Sequence, residues 1–332
     1  MSTRVARFAL FSILCALIGT DSSSFTCAQQ TTGTAIDNGK GVRYGAEVTE
    51  YWQVGVKIKA IGGTCNGFYV TIPVPNDWHD QDVKLEDEDF STHIGKVKYR
   101  VMDHGVRQMM VNIPRVPADS EARALLTFEV KTRAIIAPEK TDIFKIPTRV
   151  PREIKIHTNP SPYINSRSSS IRKKVKELVK DKATAWEQVR AIYDFVHDEV
   201  AVVGAQKMVG SEATLRNMKS IGEDKVNLFV AMCRSHKVPC RIVWVRGGFY
   251  PEFYLVDDEK VGHWFPCEVV GNTDFGSLSK PRPILQRGDN IKVPEKKERQ
   301  RYVPEFLQGR KGRGKPQISF IRSKVSKPEK KD

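Results

Sequence analysis

Four cysteines in the body of this chain could carry thiol chemistry: Cys65, Cys233, Cys240 and Cys267. A thiol becomes a nucleophile when a nearby cation or imidazole lowers its pKa, and acyl transfer also needs a base within hydrogen-bond reach. His263 precedes Cys267 in "GHWFPC". Four residues of strand span about 13 Å, so these two side chains cannot bond directly. An activating imidazole would have to come from elsewhere, such as His236 or His93. Cys233 and Cys240 have no His spaced to complete a zinc set, which usually takes ligands a few residues apart. No metal or cofactor is expected. Buried thiols, or one disulfide, fit the four cysteines better.

The elements around these residues divide the chain. From Val42 to about 140 the pattern has period two, with Val54, Val56, Ile58 and Ala60, then Phe68, Val70 and Ile72, alternating with polar neighbours. "KVKYRV" turns through Asp103-His104-Gly105 into "VRQMMVNI", a hairpin, and "ARALLTFEVKTRAII" gives another strand. These short strands predict an antiparallel β-sandwich over 42–140. A Pro- and Ser-rich linker is expected over 141–167, and the period then changes to that of helices. Ile171, Val175, Leu178 and Val179 form one stripe, and Trp186, Val189, Tyr193, Val196 and Val200 another. Thr184 and Glu187 have capping-box spacing. His197 is expected on an exposed helix edge, without chemistry. "GEDKVNLFVAMCRS" is apolar on most sides, which predicts a central buried helix. "VPCRIVWV", "FYPEFYLV" and "HWFPCEVV" follow as strands, making an α+β unit over 168–290.

The order "AWEQVRAIYDFVHDEV", "NLFVAMCRSHKVPCRIVWV", "PEFYLVDD" and "GHWFPCE" resembles the transglutaminase-like superfamily, whose core is that of papain-like cysteine enzymes. The segments "RPILQRGDN" and "RYVPEF" are similar to those of exported bacterial members. The resemblance implies a Cys at the start of the buried helix, a His on the second strand and an Asp on the third. The Cys position falls on Gly222, the last of Ser220-Ile221-Gly222. The His falls on Gly248 in "GFYPE", and the Asp on Glu268 in "WFPCE". With hydrogen where the nucleophile and its base should be, the family's acyl transfer has no attacking atom. The resemblance therefore implies a pseudoenzyme. It also implies that Tyr250, Glu252 and Trp264 line the former cleft, which would still hold a peptide or a cell-envelope polymer. The alternative is an active cysteine-dependent protease or acyl transferase working through a relocated thiol, Cys267 or Cys240. Cys233 suits that role less, standing roughly 16 Å along the helix from its start.

The ends of the chain bear on place and partners. Arg4 and Arg7 precede the apolar run "FALFSILCALIG", which is too short to span a bilayer. Small residues at Thr26-Cys27-Ala28 follow, so 1–28 reads as a signal peptide and 29–41 as a flexible leader. Export to the periplasm, envelope or medium is expected. The formal charge is +15. The extension 291–332 holds nine Lys and five Arg against four Glu and one Asp, a net of +9. Tyr302, Val303, Phe306 and Leu307, then Ile318, Phe320 and Ile321, are expected to anchor this extension on the body. Its cations suit an acidic polymer or a membrane surface, and export makes nucleic acid a poor partner.

Overall fold

A computed structural model describes residues 39–204, 206–310 and 312–329. The expected signal peptide, and the leader as far as Asn38, lie outside the described residues. Of the rest of the leader, Lys40 pairs with Asp258 and Glu259 at 2.6 and 2.8 Å.

Six strands come first: β1 (Arg43–Ile61), β2 (Cys65–Val74), β3 (Gln81–Phe90), β4 (Lys96–Val101), β5 (Arg107–Val116) and β6 (Glu121–Ile136). Period-two burial selects one face of each. Val56, Ile58, Ala60, Val70 and Ile72 are all at 0% exposure, and they meet Met109, Val111, Leu126 and Val130 in a single apolar layer. The β4–β5 hairpin turns through His104 and Gly105, both at positive φ. β3 breaks the alternation rule because it lies at a sheet edge. Its carboxylates face solvent and answer β6, as Asp89 does with Arg123 at 2.9 Å.

The short α1 (Arg152–Lys155) follows, then α2 (Ser169–Val179) and α3 (Ala185–Asp194). Thr184 and Glu187 close the capping box on α3. A π-turn over Phe195–Glu199 ends that helix, and β7 (Ala201–Val202), α4 (Ser211–Asn217), β8 (Lys219–Ser220) and α5 (Gly222–Ser235) come next. α5 is the central helix, with every residue from Asp224 to Arg234 buried. It packs against α2, α3 and α4, and against the strands β9 (Cys240–Val245) and β10 (Gly248–Val256). β11 (Gly262–Pro266) and β12 (Ile284–Arg287) complete a sheet in the order β11-β10-β9-β12.

Two segments expected to lie outside the domains, the linker and the basic extension, are packed into them. In 141–167, Phe144, His157 and Ile164 are buried, and Lys145 exchanges two backbone hydrogen bonds with Val256. Proline and serine there suppress regular structure without preventing burial. The basic extension supplies β13 (Phe306–Arg310) and β14 (Lys315–Val325). These complete the sandwich as two four-stranded antiparallel sheets, β14-β1-β6-β3 and β13-β2-β5-β4. Val303 is a buried anchor as expected, whereas Ile318 and Phe320 are each 38% exposed because β14 is an edge strand.

Candidate functional site

The N-terminus of α5, the start of β10 and the segment after β11 converge. Ile221 precedes the helix with extended backbone and no side-chain cap, so Gly222 opens α5. A β-carbon on Gly222 would stand 3.4 Å from Cγ1 of Val270 and 3.9 Å from the ring tip of Phe249. Those contacts are of ordinary van der Waals length, and they leave the helix start covered by apolar atoms. Gly248 opens β10 after the tight turn at Gly247, whose φ is +73°. A β-carbon on Gly248 would stand 3.1 Å from Nη1 of Arg282.

Arg282 also binds Glu268, donating from Nη2 to Oε1 at 2.5 Å. Asn272 donates to the other carboxylate oxygen at 2.6 Å, and the Tyr193 hydroxyl donates to the backbone oxygen of the same residue at 3.0 Å. Gly222, Gly248 and Glu268 are thus brought to one place, with the Arg282 guanidinium between the last two. Among the described bonds, an orienting carboxylate here serves an arginine and an amide, not an imidazole.

The residues expected to line a cleft sit differently. Tyr250 and Glu252 are both 1% exposed. Alternation along β10 sends Phe253 and Leu255 into the α5 core, and Tyr250 into a separate cluster with Ile135, Val243 and Leu278. These two side chains are therefore walled in between the sheet and the sandwich. Burial pushes the Tyr250 phenol well above its ordinary range. Glu252 accepts from Arg241 at 2.8 Å and lies 3.5 Å from Arg287, which in turn binds Asp80 of the sandwich at 2.5 and 2.7 Å. Trp264 is half-buried, with the Arg241 guanidinium stacked 3.9 Å from its ring centre.

The thiols are sealed in as well. Cys233, Cys240 and Cys267 are each 0% exposed, Cys65 is 2% exposed, and all four are free. The Cys267 Sγ–H points at the Pro251 carbonyl 3.7 Å away, and burial pushes this thiol well above its ordinary range. The imidazoles are engaged elsewhere. His263 pairs with Asp257 at 3.0 Å, His236 bonds Gln188 at 2.8 Å, and His197 bonds Asp198 at 2.7 Å while stacking on Tyr193. His93 lies half-exposed between β3 and β4. Among the described residues no three His, Cys, Asp or Glu side chains converge as a metal site requires.

The C-terminal segment crosses this site, which the sequence did not disclose. Arg301 donates to Glu223, the second residue of α5, at 2.9 Å and stacks 5.3 Å from Trp244. Tyr302 packs on the same indole, and Val303 exchanges two hydrogen bonds with the Gln286 side chain at 2.8 and 2.9 Å. "RPILQRGDN" and "RYVPEF" were the available signals, and between them they hold Arg282, Gln286, Arg287, Tyr302 and Val303.

Residues 172–269 match the family model described as Transglutaminase-like superfamily. That stretch is a transglutaminase-like domain. No curated protein matches the chain in sequence. Among solved structures it is similar to the crystal structure of a "Putative Cysteine Protease" from Cytophaga hutchinsonii, with 13% identity and a TM-score of 0.55, over 87% of this chain and 94% of that one. A "putative protease" from Parabacteroides distasonis ATCC 8503 matches at 10% identity and a TM-score of 0.26, over 67% of this chain and 47% of that one. The first likeness extends well beyond the transglutaminase-like domain, and at that identity it is a likeness of fold.

Proposed function

We propose that this chain is an exported, catalytically inactive relative of the transglutaminase-like cysteine enzymes, which acts by binding or scaffolding peptide or envelope polymer. One observation carries the reading. Where the resemblance puts nucleophile and base the chain has Gly222 and Gly248, and the Arg282 guanidinium fills the space beside Gly248 while holding Glu268. Both oxygens of Glu268 are engaged by Arg282 and Asn272, and among the described bonds neither meets an imidazole. Burial of Tyr250 and Glu252 argues that the binding surface is not the old cleft. Export rests on the charge and apolar pattern of the first 28 residues.

Native-state alkylation tests this reading. The four described thiols should react with iodoacetamide slowly between pH 5 and 9, and at full rate only after unfolding. An activated thiolate labels fast even near pH 6 because its pKa is depressed. Rapid labelling of Cys240 or Cys267 at that pH would overturn the reading and restore the enzyme.

A further inference from the structure

The basic extension is built into the sandwich, and one side of it stays open. β14 pairs with β1 along its whole length, from Lys315 opposite Ile61 to Val325 opposite Tyr51, and is the terminal strand of its sheet. In an antiparallel ladder the N–H and C=O of one residue point to the same side, and successive residues alternate. Ala60 exchanges its backbone bonds with Ser120 and Asp119 on the β6 side. The even residues of β1 therefore face β6 and the odd ones face β14. The register pairs odd with odd, so Gln317, Ser319, Ile321 and Ser323 bond β1. Ile318, Phe320, Arg322 and Lys324 turn their N–H and C=O groups outward. Among the described residues these groups meet no other strand.

Edges of this kind are usually blunted by charge, proline or a bulge. Here the blunting stands at the ends. Pro316 removes one outward donor, Arg322 is tied to Glu305 at 2.5 Å, and Lys324 to Glu50 at 3.3 Å. Between Lys315 and Arg322 there is no charge, and Ile318 and Phe320 each show 38% exposure at the rim of the core. Residues 306–328 hold seven Lys and Arg and no Asp or Glu. Of these cations, Arg310, Arg313, Lys315 and Lys327 make no ion pair among the described residues. Two β14 strands laid edge to edge would set two such segments against each other, so the charge selects an acidic occupant over a second copy.

We propose that the free edge of β14 docks an extended acidic segment of a partner protein, which adds as a fifth strand to β14-β1-β6-β3. Backbone hydrogen bonds hold that segment, apolar side chains at alternate positions cover Ile318 and Phe320, and its carboxylates meet the four uncommitted cations. The inference is independent of what the Gly222 site does.

The test uses the full chain and two labelled nine-residue peptides, alternating Val and Thr in the middle and ending in either Asp and Glu or Lys. The acidic peptide should bind, more weakly as salt rises. It should also slow amide exchange at Ile318, Phe320 and Arg322. Ile318→Pro removes an outward N–H while leaving the β1 ladder whole, so binding should fall on the order of tenfold. The exposed pair Arg313→Glu and Lys315→Glu, which disturbs no ion pair, should weaken binding of the acidic peptide and flatten its salt dependence. Three results would each overturn the proposal: no binding of the acidic peptide, protection at some other strand, or a concentration-dependent dimer that Ile318→Pro abolishes.

Discussion

Replacing Asp80 with alanine should strongly destabilise the protein, because it leaves a positive charge inside the molecule. Arg287 is 1% exposed and is held by both oxygens of Asp80, whose side chain is 3% exposed. Its other carboxylate, Glu252, is 3.5 Å away and already accepts from Arg241 at 2.8 Å. The four charges sum to zero, and removing Asp80 makes the group net positive. Breaking a buried pair from one side typically costs about 3–5 kcal/mol, mostly through the unpaired partner. Two-sided replacement, Asp80→Leu with Arg287→Met, removes that orphan and should recover most of the loss. Asp80 belongs to the sandwich and Arg287 to β12, so the single variant should also loosen one half against the other. Urea unfolding followed by far-UV circular dichroism would measure this, with the single variant unfolding at lower urea and over a broader or split transition. A loss below about 1 kcal/mol, or a double variant as unstable as the single one, would show that the ion cluster does not hold the halves together.

Four further outcomes follow from the same structure. His157 and His104 lie with ring centres 5.0 Å apart, and burial lowers the pKa of both, that of His157 well below 6.5, with Arg241 and Arg234 adding to the effect. The unfolded chain then binds protons that the folded one refuses. Stability is therefore full above about pH 6.5 and falls below it, by up to roughly 1.4 kcal/mol per pH unit for each imidazole. His157→Phe should flatten the urea midpoint between pH 6.5 and 5, and an unchanged slope would refute this. Asp80 and Asp289 act in a lower window. Burial alone would raise their carboxyl groups, but Arg287 and Arg234 hold them below their usual range, so that contribution persists above about pH 4 and is lost on further acidification. Gly222→Cys alone should give a thiol that only the helix dipole activates, whereas Gly222→Cys with Gly248→His and Arg282→Ala should label with iodoacetamide at clearly lower pH. Equal profiles would mean that the two positions do not face each other as catalytic partners must. Gly55→Ala should cost about 2 kcal/mol or more in thermal unfolding, because its β-carbon would stand 2.1 Å from the Ala124 carbonyl oxygen across the β1–β6 ladder.

Much of the frame was legible because it follows from periodicity. Val56, Ile58 and Ala60 on β1, and the unbroken apolar run of α5, declare their burial without any partner being known. β3 escaped that logic, since "QDVKLEDEDF" is acidic and an edge strand buries little. The segment 141–167 escaped it too, because composition marks irregular backbone whether or not Phe144 and Ile164 are packed. For the extension, apolar residues such as Val303 and Phe306 pointed to docking, yet β14 completes a sheet by backbone bonds that no side chain announces. Arg282 and Arg287 were unreadable for a related reason. A buried arginine is defined by the carboxylate it meets, and Glu268 and Asp80 lie fourteen and 207 residues away in the chain.

On the proposed reading, glycine at 222 and at 248 does more than leave out two reactive groups. A side chain at Gly222 has Val270 and Phe249 in van der Waals contact from its first carbon, and one at Gly248 has the Arg282 guanidinium in its way. The apolar cover over the start of α5 and the Arg282–Glu268 bond therefore go together with the two glycines. A side chain at Gly222 meets only ordinary contacts, whereas one at Gly248 needs the Arg282 side chain to give by a few tenths of an ångström, which couples that position to Arg282. The strap at Arg301 and Val303 adds a further layer, because it ties the same corner to the chain that continues into β13 and β14. Loosening the corner would thus disturb the strand that bounds the open edge of the sandwich.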